Sequence, residues 1–354
     1  MRIIAVLLIF TFFIHGIGEC QIYPNKNWFV NENASDIGWN DRDCSDFERY
    51  IIDSTNITGL VIVHQGQVVF DYGDIEENSY IASCRKSVLS MLYGKYVENG
   101  QIDLDKTLED LKIEDHSPFL EIEKSARIKD IIAARSGVFL SGSNGGDFRR
   151  LAPERGSVQP GSYWLYSNWD FNLAGYIFEQ ETNKDIYNEI EDQLASPLQM
   201  EDWNKSLQLK NGNLEVSKFP AYHMWFSTRD MARLGLLMLR NGKWLDKQVI
   251  PKAWVKEMIT QRTSYTEAQH NAPILKEDGL DLGYGYMWWL IENTQDSKLK
   301  NAYSAQGALG QNITVYPEID VVLAFKTKSR YRRRNSIQTQ MKVIRKAVEI
   351  YKPN

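Results

Sequence analysis

The sequence predicts a mixed α/β (α+β) domain, in which one antiparallel sheet is flanked by helices and a mostly helical region, about residues 86–220, is inserted between its first and later strands. Three observations predict it. A hairpin pattern occupies residues 60–71, strand-like runs return only from residue 284, and helical apolar spacing dominates the sequence between them.

Leu60-Val61-Ile62-Val63-His64, the turn Gln65-Gly66 and Val68-Val69-Phe70-Asp71 form the hairpin. After Ser83, the residues Val88, Leu89, Leu92, Tyr93, Tyr96 and Val97 recur at three- and four-residue spacing, and Asn99-Gly100 supplies a stop. An amphipathic helix therefore opens at Ser83 and enters the core. The turn at Pro160-Gly161 runs through Tyr166 into Phe171-Asn172-Leu173-Ala174-Gly175, the start of another helix. Tyr284 to Leu290, Ile313 to Tyr316 and Val321 to Lys326 read as strands, the last two joined by Pro317-Glu318-Ile319-Asp320. Ser336 to Tyr351 reads as a closing amphipathic helix on that sheet, with Ile337, Met341, Ile344, Val348 and Ile350 on one face. No repeat or linker divides the chain, so residues 21–354 read as one domain.

The 354 residues, 43% hydrophobic and 25% charged, suit a soluble globular enzyme. A net charge of −5 gives no nucleic-acid footprint. The six basic residues between Lys326 and Arg334 read as a solvated turn. At the N-terminus, Arg2, the apolar run Ile3 to Ile14 broken only by Thr11, then Gly16, Gly18 and Cys20 read as a secretory signal peptide over residues 1–20. The mature chain is expected to be exported, periplasmic or secreted, without a transmembrane segment. Glu19 before Cys20 spoils a lipoprotein cleavage box. Three cysteines suggest no disulfide framework, and Asn33, Asn56, Asn204 and Asn312 begin glycosylation patterns that matter in a eukaryotic secretory pathway.

The chemistry concentrates in two short motifs, Ser83-Cys84-Arg85-Lys86 and Tyr166-Ser167-Asn168. Each is weak alone: Ser297 to Lys300 and Tyr23-Pro24-Asn25 fit the same patterns, but in polar segments without helical periodicity. Residues three apart on a helix share a face, so Lys86 can reach the Ser83 hydroxyl. A serine needs a neighbour to take its proton, and a lysine does this only when burial or nearby positive charge lowers its pKa. The plainer reading is a helix-capping Ser83 with a solvated Lys86, which the apolar Ile81, Ala82 and following stripe disfavour. For Tyr166 two readings stand level. Either the phenol, held partly ionised by a buried lysine, relays protons while Asn168 bonds a substrate amide, or the segment is a structural turn with Asn168 capping the helix.

Other systems find less support. No G-x-S-x-G elbow occurs, the five histidines and three cysteines show no metal spacing, and no glycine-rich phosphate loop is present, so neither metal nor cofactor is implied. Ser141-Gly142-Ser143-Asn144-Gly145-Gly146 reads as an exposed flexible loop.

In this order, the motifs resemble the serine β-lactamase and penicillin-binding-protein superfamily, in its class C-like branch of esterases and amidases. Ile128-Lys129-Asp130-Ile131-Ile132 with Arg135-Ser136-Gly137-Val138, Ser196-Pro197-Leu198-Gln199-Met200, and Ser227-Thr228-Arg229-Asp230-Met231-Ala232-Arg233-Leu234-Gly235 extend the similarity over most of the chain. Ala305-Gln306-Gly307-Ala308-Leu309-Gly310-Gln311 is similar to the ending found in 6-aminohexanoate-dimer hydrolases and family VIII-type carboxylesterases. The resemblance implies a β-lactamase/DD-peptidase-like fold. It also implies a Ser83 acyl-enzyme formed on a small-molecule ester or amide, with Lys86 and Tyr166 as proton-transfer pair and no cofactor. Anchored on Gly310 and Pro317, its register places Ala302-Tyr303-Ser304 where class C enzymes carry Lys-Thr-Gly. The family's carboxylate-holding cation is then missing, which disfavours penicillins and D-alanyl-D-alanine peptides. The same register implies that the Ala305 N–H joins that of Ser83 as oxyanion donor, and the resemblance also implies that Asn168 contacts substrate. His223, just before the Ser227 helix among aromatics, either lines the pocket, as that position often does in the family, or is a satisfied core residue. Two other readings are a cell-wall D,D-peptidase or β-lactamase, and a non-catalytic binding protein on the same fold.

Overall fold

The computed structural model describes residues 21–277, 279–328 and 333–353; the signal-peptide reading lies outside the described residues. Seven antiparallel strands form the sheet: β1 (Gly59–His64), β2 (Gln67–Gly73), β3 (Asp281–Tyr284), β4 (Trp289–Glu292), β5 (Tyr303–Gly307), β6 (Gln311–Tyr316) and β7 (Val321–Lys326). Their spatial order is β2-β1-β7-β6-β5-β4-β3. The first hairpin therefore closes against the last strand, Gly59 opposite Lys326 and His64 opposite Val321. β1, β6 and β7 are buried along their whole length, which explains their nearly unbroken apolar and β-branched runs.

Helices cover both faces. On one lies α4 (Thr228–Leu239), and Gly235 permits its close approach, since a Cβ there would stand 2.4 Å from Val322 Cγ1 and 2.9 Å from Ile313 Cγ2. On the other lies α5 (Ile337–Glu349), capped by the Ser336 side chain and tied down where Tyr316 OH donates to Ile344 O at 2.8 Å. α1 (Asp41–Ser54), unforeseen in the sequence, packs beside it.

α2 (Cys84–Glu98) differs from the amphipathic expectation, because every residue from Cys84 to Gly94 is buried. The helix runs between the sheet, α3 (Asn168–Thr182) and the helix Lys252–Met258. Its serines suit this position by donating to main chain: Ser87 Oγ to Met287 O at 2.6 Å and Ser90 Oγ to Tyr286 O at 2.8 Å. Those acceptors lie in a turn that splits the run predicted as one strand, Tyr284 to Leu290, into β3 and β4, with Met287 at φ 62°. The inserted region also contains less helix than predicted. Between α2 and α3 stand only the short helices Glu121–Lys124 and Ile128–Ile132 and a 3-10 turn at Arg149–Leu151. Polar ties hold these loops, such as Arg155 Nη2 on the buried Glu123 at 2.6 Å.

The basic run is not wholly a solvated turn. Lys326 ends β7 in the interior, its ammonium donating to Glu77 O at 2.7 Å, Ser79 Oγ at 2.9 Å and Phe226 O at 2.5 Å, while Lys328 pairs with Glu77. Asn312 is fully buried in β6, which removes that glycosylation pattern from the folded chain. Cys44 and Cys84 are free thiols. Among the described residues, no helix is long and apolar enough to cross a membrane, and no cluster of metal-ligating side chains occurs.

Candidate active site

The segment before α2 sets the site. The two-residue strand Ser79–Tyr80 pairs with Trp225–Phe226, and Ala82 then turns the chain at φ 49°, a conformation uncommon outside glycine. Cys84, Arg85 and Lys86 direct their N–H groups back to Ile81 O, Ala82 O and Ser83 O. Ser83 stands at the mouth of the helix with its own N–H unbonded among the described residues. Lys86, one turn on, is 2% exposed.

Lys86 Nζ lies 2.9 Å from Ser83 Oγ and 2.8 Å from Tyr166 OH. Tyr166 is held from both sides: its carbonyl accepts from Phe148 N at 2.9 Å, and its ring stacks on Trp289 at 5.5 Å and meets Phe171 at 4.8 Å. Burial, reinforced by the Arg85 guanidinium, pushes the Lys86 amine well below the ordinary lysine range. Arg85 is fixed in turn by Asn172 Oδ1 at 3.0 Å and by the Tyr222 face at 4.3 Å. Burial drives Tyr166 the other way, above the usual phenol value. This runs against the reading in which the phenol is partly ionised: burial favours the uncharged form of both groups, lowering the pKa of the amine and raising that of the phenol.

A cavity of about 270 Å³ opens over Ser83, lined among others by Tyr166, Phe148, Trp289, Gln306 and Gln340. A larger hollow of about 600 Å³, bounded by Lys112, Ile113 and Phe119, lies apart from any such constellation. Gly146 also lines the smaller cavity, so the glycine-rich loop read as an exposed turn borders the site at its end. Two asparagines of α3 hold that loop. Asn168 Nδ2 donates to Gly145 O at 2.8 Å, and Asn172 Nδ2 donates to Asn144 Oδ1 at 2.9 Å. The cap of α3 is Ser167, whose Oγ accepts from Asp170 N, so Asn168 is not the cap.

The remaining expected residues separate from the Ser83-Lys86-Tyr166 group. Asn168 does not line the cavity, and its buried Oδ1 has no partner among the described residues. His223 bonds Tyr80 OH through Nδ1 at 2.9 Å, packs among Tyr80 and Trp225, and is likewise absent from the lining; burial pushes its pKa down to about 4. Ala305 sits in mid-strand opposite Ile313, fully buried. The cavity wall begins one residue later, at Gln306, Gly307 and Ala308, so Tyr303 and Ser304, in the strand, and Ala302, just before it, stay out of the lining. The ungapped register had no means of detecting this offset. Ala308, exposed and just past β5, has no acceptor for its N–H among the described residues.

Gly307 brings the strand end against the nucleophile segment. A Cβ there would lie 2.6 Å from Ile81 O and 2.9 Å from Gln311 Cβ, distances no side chain tolerates. Gly307→Ala is expected to lower kcat/KM for p-nitrophenyl butyrate by about a hundredfold, the scale of a 1 Å misplacement at a reacting centre. Rates within threefold of wild type at an unchanged melting temperature would show that this contact does not set the site.

A buried lysine of depressed pKa between a serine hydroxyl and a phenol of raised pKa, beside a cavity bordered by two main-chain N–H groups without an acceptor among the described residues, is the site of a serine hydrolase. The beta-lactamase family model matches residues 47–344, and the chain belongs to that family. No curated protein sequence matches it. Among solved structures, it is similar to a protein provisionally named a 6-aminohexanoate-dimer hydrolase from Bacillus anthracis, with 19% identity, a TM-score of 0.64, and coverage of 85% of this chain and 80% of that one. It also resembles EstCE1, a hydrolase with promiscuous acyltransferase activity, at 16% identity and TM-score 0.60, covering 85% and 96%. A third likeness is to the LovD9 mutant of simvastatin synthase from Aspergillus terreus, at 13% identity and TM-score 0.65, covering 87% and 97%. At these identities the likeness is one of fold.

Proposed function

We propose that the protein is an exported hydrolase that cleaves an ester or amide through a Ser83 acyl-enzyme. The observation that carries this reading is the placement of the buried Lys86 Nζ within 2.9 Å of both Ser83 Oγ and Tyr166 OH. Neutral Lys86 takes the Ser83 proton as Oγ attacks the carbonyl, and Tyr166 passes a proton to the departing alcohol or amine. The N–H groups of Ser83 and Ala308, the latter in place of Ala305, stabilise the oxyanion. Water, deprotonated by the same pair, then cleaves the acyl-enzyme and restores Ser83. Among the described residues lining the cavity none is charged, which supports neutral substrates over penicillins and D-alanyl peptides.

The test is intact-mass analysis of the wild-type protein mixed rapidly with p-nitrophenyl butyrate. One added butyryl group, located on Ser83 by peptide mapping, is the expected result; nitrophenol release without turnover at Ser83 would move the chemistry elsewhere. Export rests on the N-terminal pattern, and is tested by expressing the full chain in a secreting host. An exported product beginning between residues 17 and 21 is expected, and an intracellular product retaining Met1 counts against it.

A further inference from the structure

Gln306 ends the even-numbered face of β5 and Gln340 lies on α5, and both border the cavity over Ser83. Gln306 is 7% exposed and Gln340 is 4% exposed. Among the described residues, neither Nε2 nor Oε1 of Gln306 has a hydrogen-bond partner, and Oε1 of Gln340 has none. Buried amides are normally satisfied, so these atoms require an explanation. Their neighbour Asn335, on the same wall, shows what a structural amide looks like here. It accepts from Asn56 N at 2.8 Å and donates to Thr327 Oγ1 at 2.6 Å.

The unpartnered atoms belong to a strand and a helix that carry no proton-transfer group. A lone Gln306 amide offers one donor and one acceptor edge, and its natural complement offers one acceptor and one donor. A carboxamide or a peptide-type amide does this in a single group. A carboxylate would satisfy Nε2 but set its charge against Oε1, with no cation among the described lining residues to compensate. A hydrocarbon would leave both atoms unpaired.

We propose that Gln306, with Gln340 beside it, is a specificity subsite that pairs with a neutral amide group of the substrate, so that the preferred substrates are esters or amides carrying a second, uncleaved amide. This rests on the Ser83 acyl-enzyme reading and narrows its substrate class.

Two substrate series test it on wild-type protein. In the first, p-nitrophenyl esters carry succinamoyl, 4-methylpentanoyl or succinyl chains, which end in an amide, its apolar isostere or a carboxylate. In the second, butyrate is esterified to 3-hydroxypropanamide, 3-methylbutanol or 3-hydroxypropanoate, which moves the same three groups to the leaving side. In at least one series the amide is expected to exceed both other members in kcat/KM by about tenfold, the effect of two neutral hydrogen bonds. That advantage is expected to shrink to about twofold or less in Gln306→Met, and Gln340→Met is the second variant should the first fail to fold. Turnover of the isosteres with no amide advantage in either series overturns the subsite while leaving the hydrolase intact, as does a preference for the carboxylate or an advantage that survives in both folded variants. Silence towards all six esters with no acyl adduct removes the hydrolase reading and the subsite together.

Discussion

Replacing Ser83 by alanine is expected to lower kcat/KM for p-nitrophenyl butyrate by about ten-thousand-fold or more and to abolish the acyl adduct. The hydroxyl removed is the group placed 2.9 Å from the Lys86 amine at the floor of the cavity. Cys84, the adjacent residue, offers no substitute, since burial raises its thiol far above the range in which a thiolate forms. The change deletes one oxygen, outside the helix's main-chain hydrogen bonds, from a half-buried residue, so the melting temperature should remain near that of wild type. Activity within tenfold of wild type, or a persistent adduct, would assign the nucleophile to another residue.

Lys86→Met is expected to lower the same parameter by about a thousandfold at neutral pH, the typical contribution of a positioned general base. The pH profile separates this role from a packing role. Below its pKa the Lys86 amine is protonated and cannot accept from Ser83, so wild-type kcat/KM should rise with pH through an ionisation well under the ordinary lysine value. Lys86→Met should lose that limb. Arg85→Met removes the second cause of the depressed pKa and should move the limb to higher pH, with Lys86 and Ser83 still in place. A limb that stays fixed in Arg85→Met, in protein that melts normally, would show that burial alone sets the lysine.

The hairpin, the two last strands and the closing helix were legible because each follows a single local rule, strand runs bounded by turns or a one-faced helical stripe. α2 was legible in position but not in surroundings. Ser87 and Ser90 fall outside its apolar stripe, and the turn at Tyr286 and Met287, about two hundred residues away in sequence, supplies the buried acceptors they meet. The same distance hides the split of residues 284–290 into two strands, which depends on a left-handed Met287.

For the site, sequence by itself determined the constituents: a serine and lysine one helical turn apart, and a tyrosine on the turn entering the next long helix. Spacing along one helix is a local property, so Ser83 and Lys86 had to meet. Tertiary structure alone decided that Tyr166 completes the group, that burial shifts its phenol up and the lysine down, and that Gln306, Gly307 and Ala308 rather than Ala305 line the cavity with the nucleophile. These depend on strand register and on the desolvation each group meets after packing, and both are set by contacts between distant segments.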